Sequence, residues 1–173
     1  MTIVVDADIA CSAGGQAGKS ICCTEILKAI NDEGFHIHFG PILRDEWFRN
    51  MSAYARTWYV TMRARNRLDL REAEECQLLG EHLRSLPLSH NHSGIMRRDR
   101  HLVDAALVRD FRIVSGDKKA RNAFRTTALP AVPLLESIYW AQADDGSAGE
   151  ACIQWLRGGA PDDETLMLHC EIN

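Results

Sequence analysis

Ile3-Val4-Val5-Asp6-Ala7-Asp8-Ile9 decides how the rest of the chain reads. Three apolar residues, two of them β-branched valines, make a short buried strand. Asp6 and Asp8 follow at once. A side chain at the carboxyl end of a parallel strand faces the crevice where open α/β sheets bind ligands. A carboxylate there is paired or coordinates a cation, because an isolated buried charge is costly. Three further acids stand beside expected element boundaries: Glu46, Asp99 and Asp117. Acids from four segments converging on one sheet edge make a metal site suited to phosphate chemistry.

Outward from that stretch, Cys11 to Gly18 reads as a small-residue loop. A helix follows from about 19 to 32, with Gly34 as its stop. Phe35 to Phe39 alternates apolar and polar residues, which predicts a short strand. Pro41 suits the first turn of a helix. Trp47, Met51, Tyr54 and Trp58 extend its buried face, so one long helix is expected over 41–67. A second helix is expected over 69–86, ended by Pro87. A polar loop containing His90 and His92 leads to an Ala-rich helix with Asp99 at or near its N-cap. Phe111 to Ser115 is the next strand, followed by Asp117 and a short basic helix over 118–124. Residues 132–140 form a further strand candidate.

Strands and helices alternate through most of this order. That predicts an α/β fold, a three-layer α/β/α sandwich around a central, mainly parallel sheet. From Ala143 the composition shifts. Asp144-Asp145-Gly146 reads as a linker, and Ser147 to Glu150 as a capping box that opens a short helix to Arg157. The expected organisation is a domain over 1–142 and a C-terminal appendage over 143–173.

The 173 residues suffice for one domain with a proper core. A hydrophobic content of 46% and a charged content of 25% are those of an ordinary globular protein. The net charge of −4 does not indicate a wholesale nucleic-acid binder, but a local basic stripe matters more than the total. Six cysteines occur without a C-x-x-C pair, which argues against zinc. The N-terminus opens straight into a strand, unlike a secretory signal, and no apolar run spans a bilayer. A cytoplasmic protein with reduced thiols and no membrane partner is expected.

Mg²⁺ and Mn²⁺ take oxygen ligands, usually a few carboxylates plus water and substrate phosphate. The acids come in a suggestive order: Val-Val-Asp-x-Asp, a helical Glu, Asp-x-x-Leu-Val-x-Ala-Ala-Leu, then Ile-Val-Ser-Gly-Asp. This order resembles the PIN-domain nucleases over about residues 1 to 142. The resemblance implies a PIN-like sandwich that cleaves single-stranded RNA with Mg²⁺ or Mn²⁺. Asp6, Glu46, Asp99 and Asp117 match the family's metal-holding catalytic acids, and Asp8 falls where the family has a polar helper. Many members are toxins of toxin–antitoxin pairs. An RNA substrate, an antitoxin protein and a second copy of the chain are the partners the resemblance admits.

Two acids compete with this set. Asp104 lies inside the Ala-rich helix, about 140° around it from Asp99, so one of the two is the direct ligand and Asp99 is preferred. Asp45 competes with its neighbour Glu46. Taken singly, Asp99 as a helix cap and Asp117 as a turn opener are equally natural.

Other features point elsewhere. Ala13-x-x-x-x-Gly18-Lys19-Ser20 fits a relaxed phosphate loop, which would make the chain a nucleotide-dependent phosphotransferase using residues 13–20. A strict phosphate loop begins with Gly and follows its strand directly. His90-x-His92 lacks a third ligand at useful spacing. Cys22-Cys23 reads as core packing. His101 and Asp104 share a helix face and suit a structural hydrogen bond. Arg63, Arg65 and Arg67 read as a solvated surface. Arg97, Arg98 and Arg100 flank Asp99, while Lys118, Lys119, Arg121 and Arg125 follow Asp117. These last two groups are the expected substrate contacts, since an RNA backbone needs cations around a metal site. A catalytically inactive PIN-like module that binds RNA or protein is the alternative from a different functional class.

Overall fold

The computed structural model describes residues 1–87 and 92–170. Five strands form one parallel sheet in the order β3-β2-β1-β4-β5: β1 (Thr2–Val5), β2 (His36–His38), β3 (Leu68–Asp69), β4 (Arg112–Ser115) and β5 (Tyr139–Gln142). Val4 pairs with His38 on one side and with Ile113 on the other. Ile3, Val4 and Val5 are fully buried, as a central strand covered on both faces requires. Helices cover both faces, giving the expected three-layer α/β/α sandwich.

Eight helices surround the sheet among the described residues: α1 (Ala7–Ser12), α2 (Gly18–Asp32), α3 (Pro41–Asn50), α4 (Ala53–Ala64), α5 (Gln77–Ser85), α6 (Ser93–Leu107), α7 (Lys118–Ala123) and α8 (Ser147–Arg157). α2 packs against α4 and α8. α6 lies across β1 and β4, with α5 and α7 against it.

Several elements differ from the sequence expectation, each for a local reason. The long helix over 41–67 is two helices. Met51 is extended, and the Ser52 hydroxyl accepts from the Ala55 N–H at 3.1 Å to start α4. The aromatic face runs on across the break, with the Trp47 and Trp58 rings 5.7 Å apart, and this continuity hid the break in the sequence. The expected helix over 69–86 begins only at Gln77. Before it, Leu68 and Asp69 join the sheet, where Arg71 and Arg109 both bind the Asp69 carboxylate. Residues 133–137 form a 3₁₀ turn opened by Pro133, and the strand starts later, at Tyr139. The small-residue loop yields its first two positions to α1, so a helical turn separates β1 from residues 13–18.

Residues 143–170 belong to the same packed body as the rest. Cys152 and Leu156 on α8 are fully buried. A side chain at Gly149 would collide with the Asp144 carbonyl and the Cys22 sulfur, so its absence lets α8 seat on α2. Beyond α8, the Leu168 N–H donates to the Ile138 carbonyl at 2.8 Å, and Met167 bridges Tyr139. This segment covers the otherwise open edge at β5. All six cysteines are free. No helix among the described residues is long and apolar enough to cross a membrane.

Candidate functional site

In the strand order 3-2-1-4-5 the direction in which successive strands are added reverses between β1 and β4, which remain parallel. Open α/β sheets bind ligands at this switch point, outside the carboxyl ends of the strands. A cleft of about 740 Å³ lies there, lined by Asp6, Asp8, Glu46, Asp99 and Asp117 together with Lys19, Arg49, Asn50, Arg98, Lys118 and Lys119.

Each acid is positioned by its own element. Asp6 ends β1, where its N–H donates to the Val114 carbonyl at 3.0 Å. The Ser115 hydroxyl donates to Asp6 Oδ2 at 2.6 Å and accepts from the Asp117 N–H at 3.0 Å, so one β4 side chain orients two acids. Asp8 sits in the first turn of α1 and accepts from the Gly116 N–H at 3.1 Å. Any Cβ at Gly116 would occupy the place of the Asp8 carboxylate. Asp117 caps α7, its Oδ1 accepting from the N–H groups of Lys119 and Ala120 at 2.8 and 2.9 Å. Glu46 is held on α3, which the indole N–H of Trp47 ties to the Val5 carbonyl at 3.1 Å. Asp45 faces solvent beside Arg44, outside the cleft.

Asp99 is placed differently from expectation. It is an interior residue of α6, seven positions into the helix, and not its cap. Its carboxylate reaches the cleft all the same. Asp104, further round the same helix, faces another pocket, where its Oδ1 accepts from the Cys76 N–H at 2.8 Å and its Oδ2 lies 3.0 Å from Arg100. His101 pairs with Glu46 at 3.1 Å and not with Asp104.

Burial raises the Asp6 carboxyl to about 7, and repulsion from Asp8 adds to the shift. Burial likewise raises Asp8, while the Gly116 N–H and Lys19 draw it back. The cleft supplies cations of its own. Arg98 grips Asp99 with two parallel bonds of 2.8 and 2.9 Å and stretches to Asp117 Oδ2 at 3.4 Å. Lys19 lies 3.5 Å from Asp8. Among the described residues, no three His, Cys, Asp or Glu side chains converge closely enough to hold a metal as they stand. The donor type suits a hard divalent ion, but the positive charge between Asp99 and Asp117 is a guanidinium.

The expected substrate cations separate into groups. Arg98 and Lys119 are exposed on the cleft, and Lys118 lines it while pairing with Asp144 at 2.7 Å. Arg97 instead caps the end of α5, donating to the Leu83 and Leu86 carbonyls. Arg100 is tied to Glu75, Asp104 and the Cys76 carbonyl. Arg121 is buried and donates to the Met167 carbonyl at 3.1 Å, so it holds the C-terminal segment and not a substrate. Of the two loop histidines, His90 lies outside the described residues. His92 Nδ1 is 2.9 Å from the Thr127 hydroxyl.

Ser115, Lys19, Arg49 and Asn50 are site residues the sequence reading missed. Ser115 was legible in principle, as the inward position two residues before Asp117 at a strand end. Lys19 was read as part of a phosphate loop, but α1 stands between β1 and that loop, and its ammonium faces Asp8. No family model matches the chain, and neither a curated protein nor a solved structure matches it.

Proposed function

We propose that the cleft hydrolyses phosphodiester bonds of single-stranded RNA with Mg²⁺ or Mn²⁺, as the PIN-domain resemblance implies. The observation that carries this reading is the meeting of Asp6, Asp8, Glu46, Asp99 and Asp117, from separate segments, in one cleft at the switch point of the sheet. Asp6, Asp99 and Asp117 would hold the ion, with Glu46 and Asp8 at its margin. A divalent ion in such a set supplies Lewis acidity to the attacking water and to the leaving oxygen.

The chain's own groups do the rest. Ser115 holds the Asp6 carboxylate and the Asp117 backbone N–H through its single hydroxyl, and the N–H groups of Lys119 and Ala120 hold the Asp117 carboxylate. Arg98, whose side chain is 62% exposed, releases Asp99 and Asp117 and takes the substrate phosphate instead, where its planar fork binds two oxygens. Lys119 and Arg49 line the rim along which the backbone runs. In-line attack of water on phosphorus breaks the P–O3′ bond and leaves a 5′-phosphate and a 3′-hydroxyl. The same resemblance extends to a toxin role, with an antitoxin partner and a cytoplasmic site of action.

Asp6→Asn tests the reading, since the amide preserves shape and removes the charge. Wild-type protein should cleave single-stranded RNA in Mn²⁺, and Asp6→Asn should not, at an unchanged circular-dichroism spectrum. Cleavage that persists in the variant refutes the assignment. A specific observation favours a second reading, a PIN-like module that binds RNA or protein without turnover: the acids already carry resident partners in Arg98, Lys19 and His101. RNA binding by the wild type without any cleavage in Mg²⁺ or Mn²⁺ would establish that reading.

A further inference from the structure

The two edges of the sheet are finished differently. At β5 the segment beyond α8 covers the edge, with Leu168 bonded to Ile138 and Met167 bridging Tyr139. β3 lies at the other end of the strand order. The carbonyls of Arg67 and Asp69 accept from the N–H groups of Ile37 and Phe39 at 3.0 and 2.7 Å, so the backbone groups of Leu68 point away from β2. Leu70 is the next residue in that alternation. Among the described residues, nothing hydrogen-bonds to the N–H or C=O of either leucine.

Beside this edge lies a groove of about 560 Å³, lined by Leu68 and Leu70, by Phe48 of α3 and Tyr59 of α4, and by the cations Arg44 and Arg63. Leu70 is 59% exposed and Phe48 45%. Proteins usually blunt a free edge, and apolar side chains left exposed next to one make it a template for pairing. Charge is divided about the strand as well. Arg63, Arg65 and Arg67 precede β3, and Glu72, Glu74 and Glu75 follow it on a segment without regular structure. Arg63, Glu72 and Glu74 have no ionic partner among the described residues.

We infer that β3 pairs antiparallel with β3 of a second copy of this chain, about a two-fold axis perpendicular to the sheet, so that two sheets become one. Leu68 of each copy then lies opposite Leu70 of the other, and each such pair exchanges an N–H···O bond in both directions. Side chains directly opposite share a face, so the leucines carry the apolar lining of the groove across the junction. The antiparallel sense also runs the arginines before one β3 past the glutamates after the other, with position 72 opposite position 66. A parallel approach would set arginines against arginines, so the charges select the antiparallel sense. Asp69 meets its counterpart at the axis, where Arg71 and Arg109 already neutralise each carboxylate. The carboxyl ends of the paired strands point in opposite directions. The two acidic clefts therefore stay apart, and the pairing does not depend on what they do.

Sedimentation velocity of the full chain, from micromolar to submillimolar concentration, tests this. The mass should rise from 19.4 kDa toward twice that value, and high salt should weaken association severalfold. Leu70→Pro, at an exposed position whose N–H has no partner in the single chain, removes one ladder bond from each Leu68–Leu70 pair and should weaken association at least about tenfold. Glu72→Arg with Glu74→Arg, which leaves the backbone untouched, should do the same, and adding Arg63→Glu and Arg65→Glu to that chain should restore the dimer. A wild-type chain that stays monomeric throughout overturns the inference and leaves the edge to a different protein. A dimer that survives both Leu70→Pro and the glutamate reversal also overturns it, because its interface then lies elsewhere.

Discussion

Replacing Asp6 with Asn should stabilise the metal-free protein at alkaline pH. The carboxyl lies at the end of a central strand, partly exposed, with Asp8 and Asp99 as neighbours. Its proton affinity rises from 3.8 to about 7. A group held more tightly protonated in the fold contributes stability below its unfolded value and loses it as pH climbs through its folded value. The window is therefore pH 4 to 7. About three units at roughly 1.36 kcal/mol each set a ceiling of about 4 kcal/mol on the penalty at pH 8. Residual solvent contact screens part of it, and Asn keeps a partner in the Ser115 hydroxyl. About 2 kcal/mol is the expected gain, or about 4 to 8 °C in Tm for a chain of this size. The assay is thermal unfolding of both proteins in EDTA at pH 4.5, 6 and 8. The Tm difference should be small at pH 4.5 and grow to its full value by pH 8. A difference independent of pH, or a variant less stable than wild type at pH 8, would show that Asp6 is not the strained acid. On adding Mn²⁺ the order should contract or reverse, because only the wild type regains the missing charge.

Further substitutions separate neighbouring roles. Arg98→Gln removes the guanidinium between Asp99 and Asp117. Because the Arg98 side chain is 62% exposed, Mn²⁺ affinity by titration calorimetry should rise only severalfold, on the order of 1 kcal/mol; a fall would make Arg98 a support of the metal site and not its competitor. Asp99→Asn should abolish Mn²⁺-induced stabilisation, whereas Asp104→Asn should retain it and lower Tm by loosening Arg100 and Cys76. The reverse pattern would exchange the two acids. Lys119→Ala should weaken RNA binding and reduce the slope of log K against log salt by roughly one. Arg63→Ala with Arg65→Ala, at the far end of α4, should leave the slope unchanged.

Much of the architecture was legible because it follows from short-range rules. The buried Ile3–Val5 run, the alternation at 35–39 and the strand before Gly116 fix three strands by residue type alone. What the sequence hid was decided by tertiary contacts. Leu68 and Asp69 are a strand because Arg71 and Arg109 anchor Asp69 from separate segments. Two residues of propensity could not announce that. The break at Met51-Ser52 had a local signal in the serine cap, masked by the uninterrupted aromatic face. Asp6, Asp8 and Asp117 were legible because strand ends and helix starts are readable positions, whereas Asp99 and Glu46 lie inside their helices. The partners of all these acids were not legible. Arg97, Arg98, Arg100 and Arg121 look alike in sequence, yet one faces the cleft, two are tied to other parts of the wall and one is buried. Which way a long side chain turns depends on carbonyls and carboxylates far away in the chain.

The cleft is lined by five carboxylates and five lysines or arginines, and their depths differ. In the Arg98 and Lys19 pairs the cation is the outer member, while His101 lies deeper than its partner Glu46. Arg98 is 62% exposed against 13% for Asp99 and 31% for Asp117, and Lys19 is 46% exposed against 29% for Asp8. A floor of acids under a rim of cations matters for the chemistry proposed. Acids alone would repel a phosphate backbone, and cations alone would hold no metal. Layered, the same ten charges can be re-paired without adding any. On the function proposed, a divalent ion entering the floor would displace Arg98 outward, toward the place a phosphate would occupy, so metal and RNA would each improve the site for the other. That coupling is reciprocal by thermodynamic necessity: if Mn²⁺ tightens RNA, RNA must tighten Mn²⁺ by the same factor. The factor should shrink in Arg98→Gln, where no charge remains to be handed from acid to phosphate.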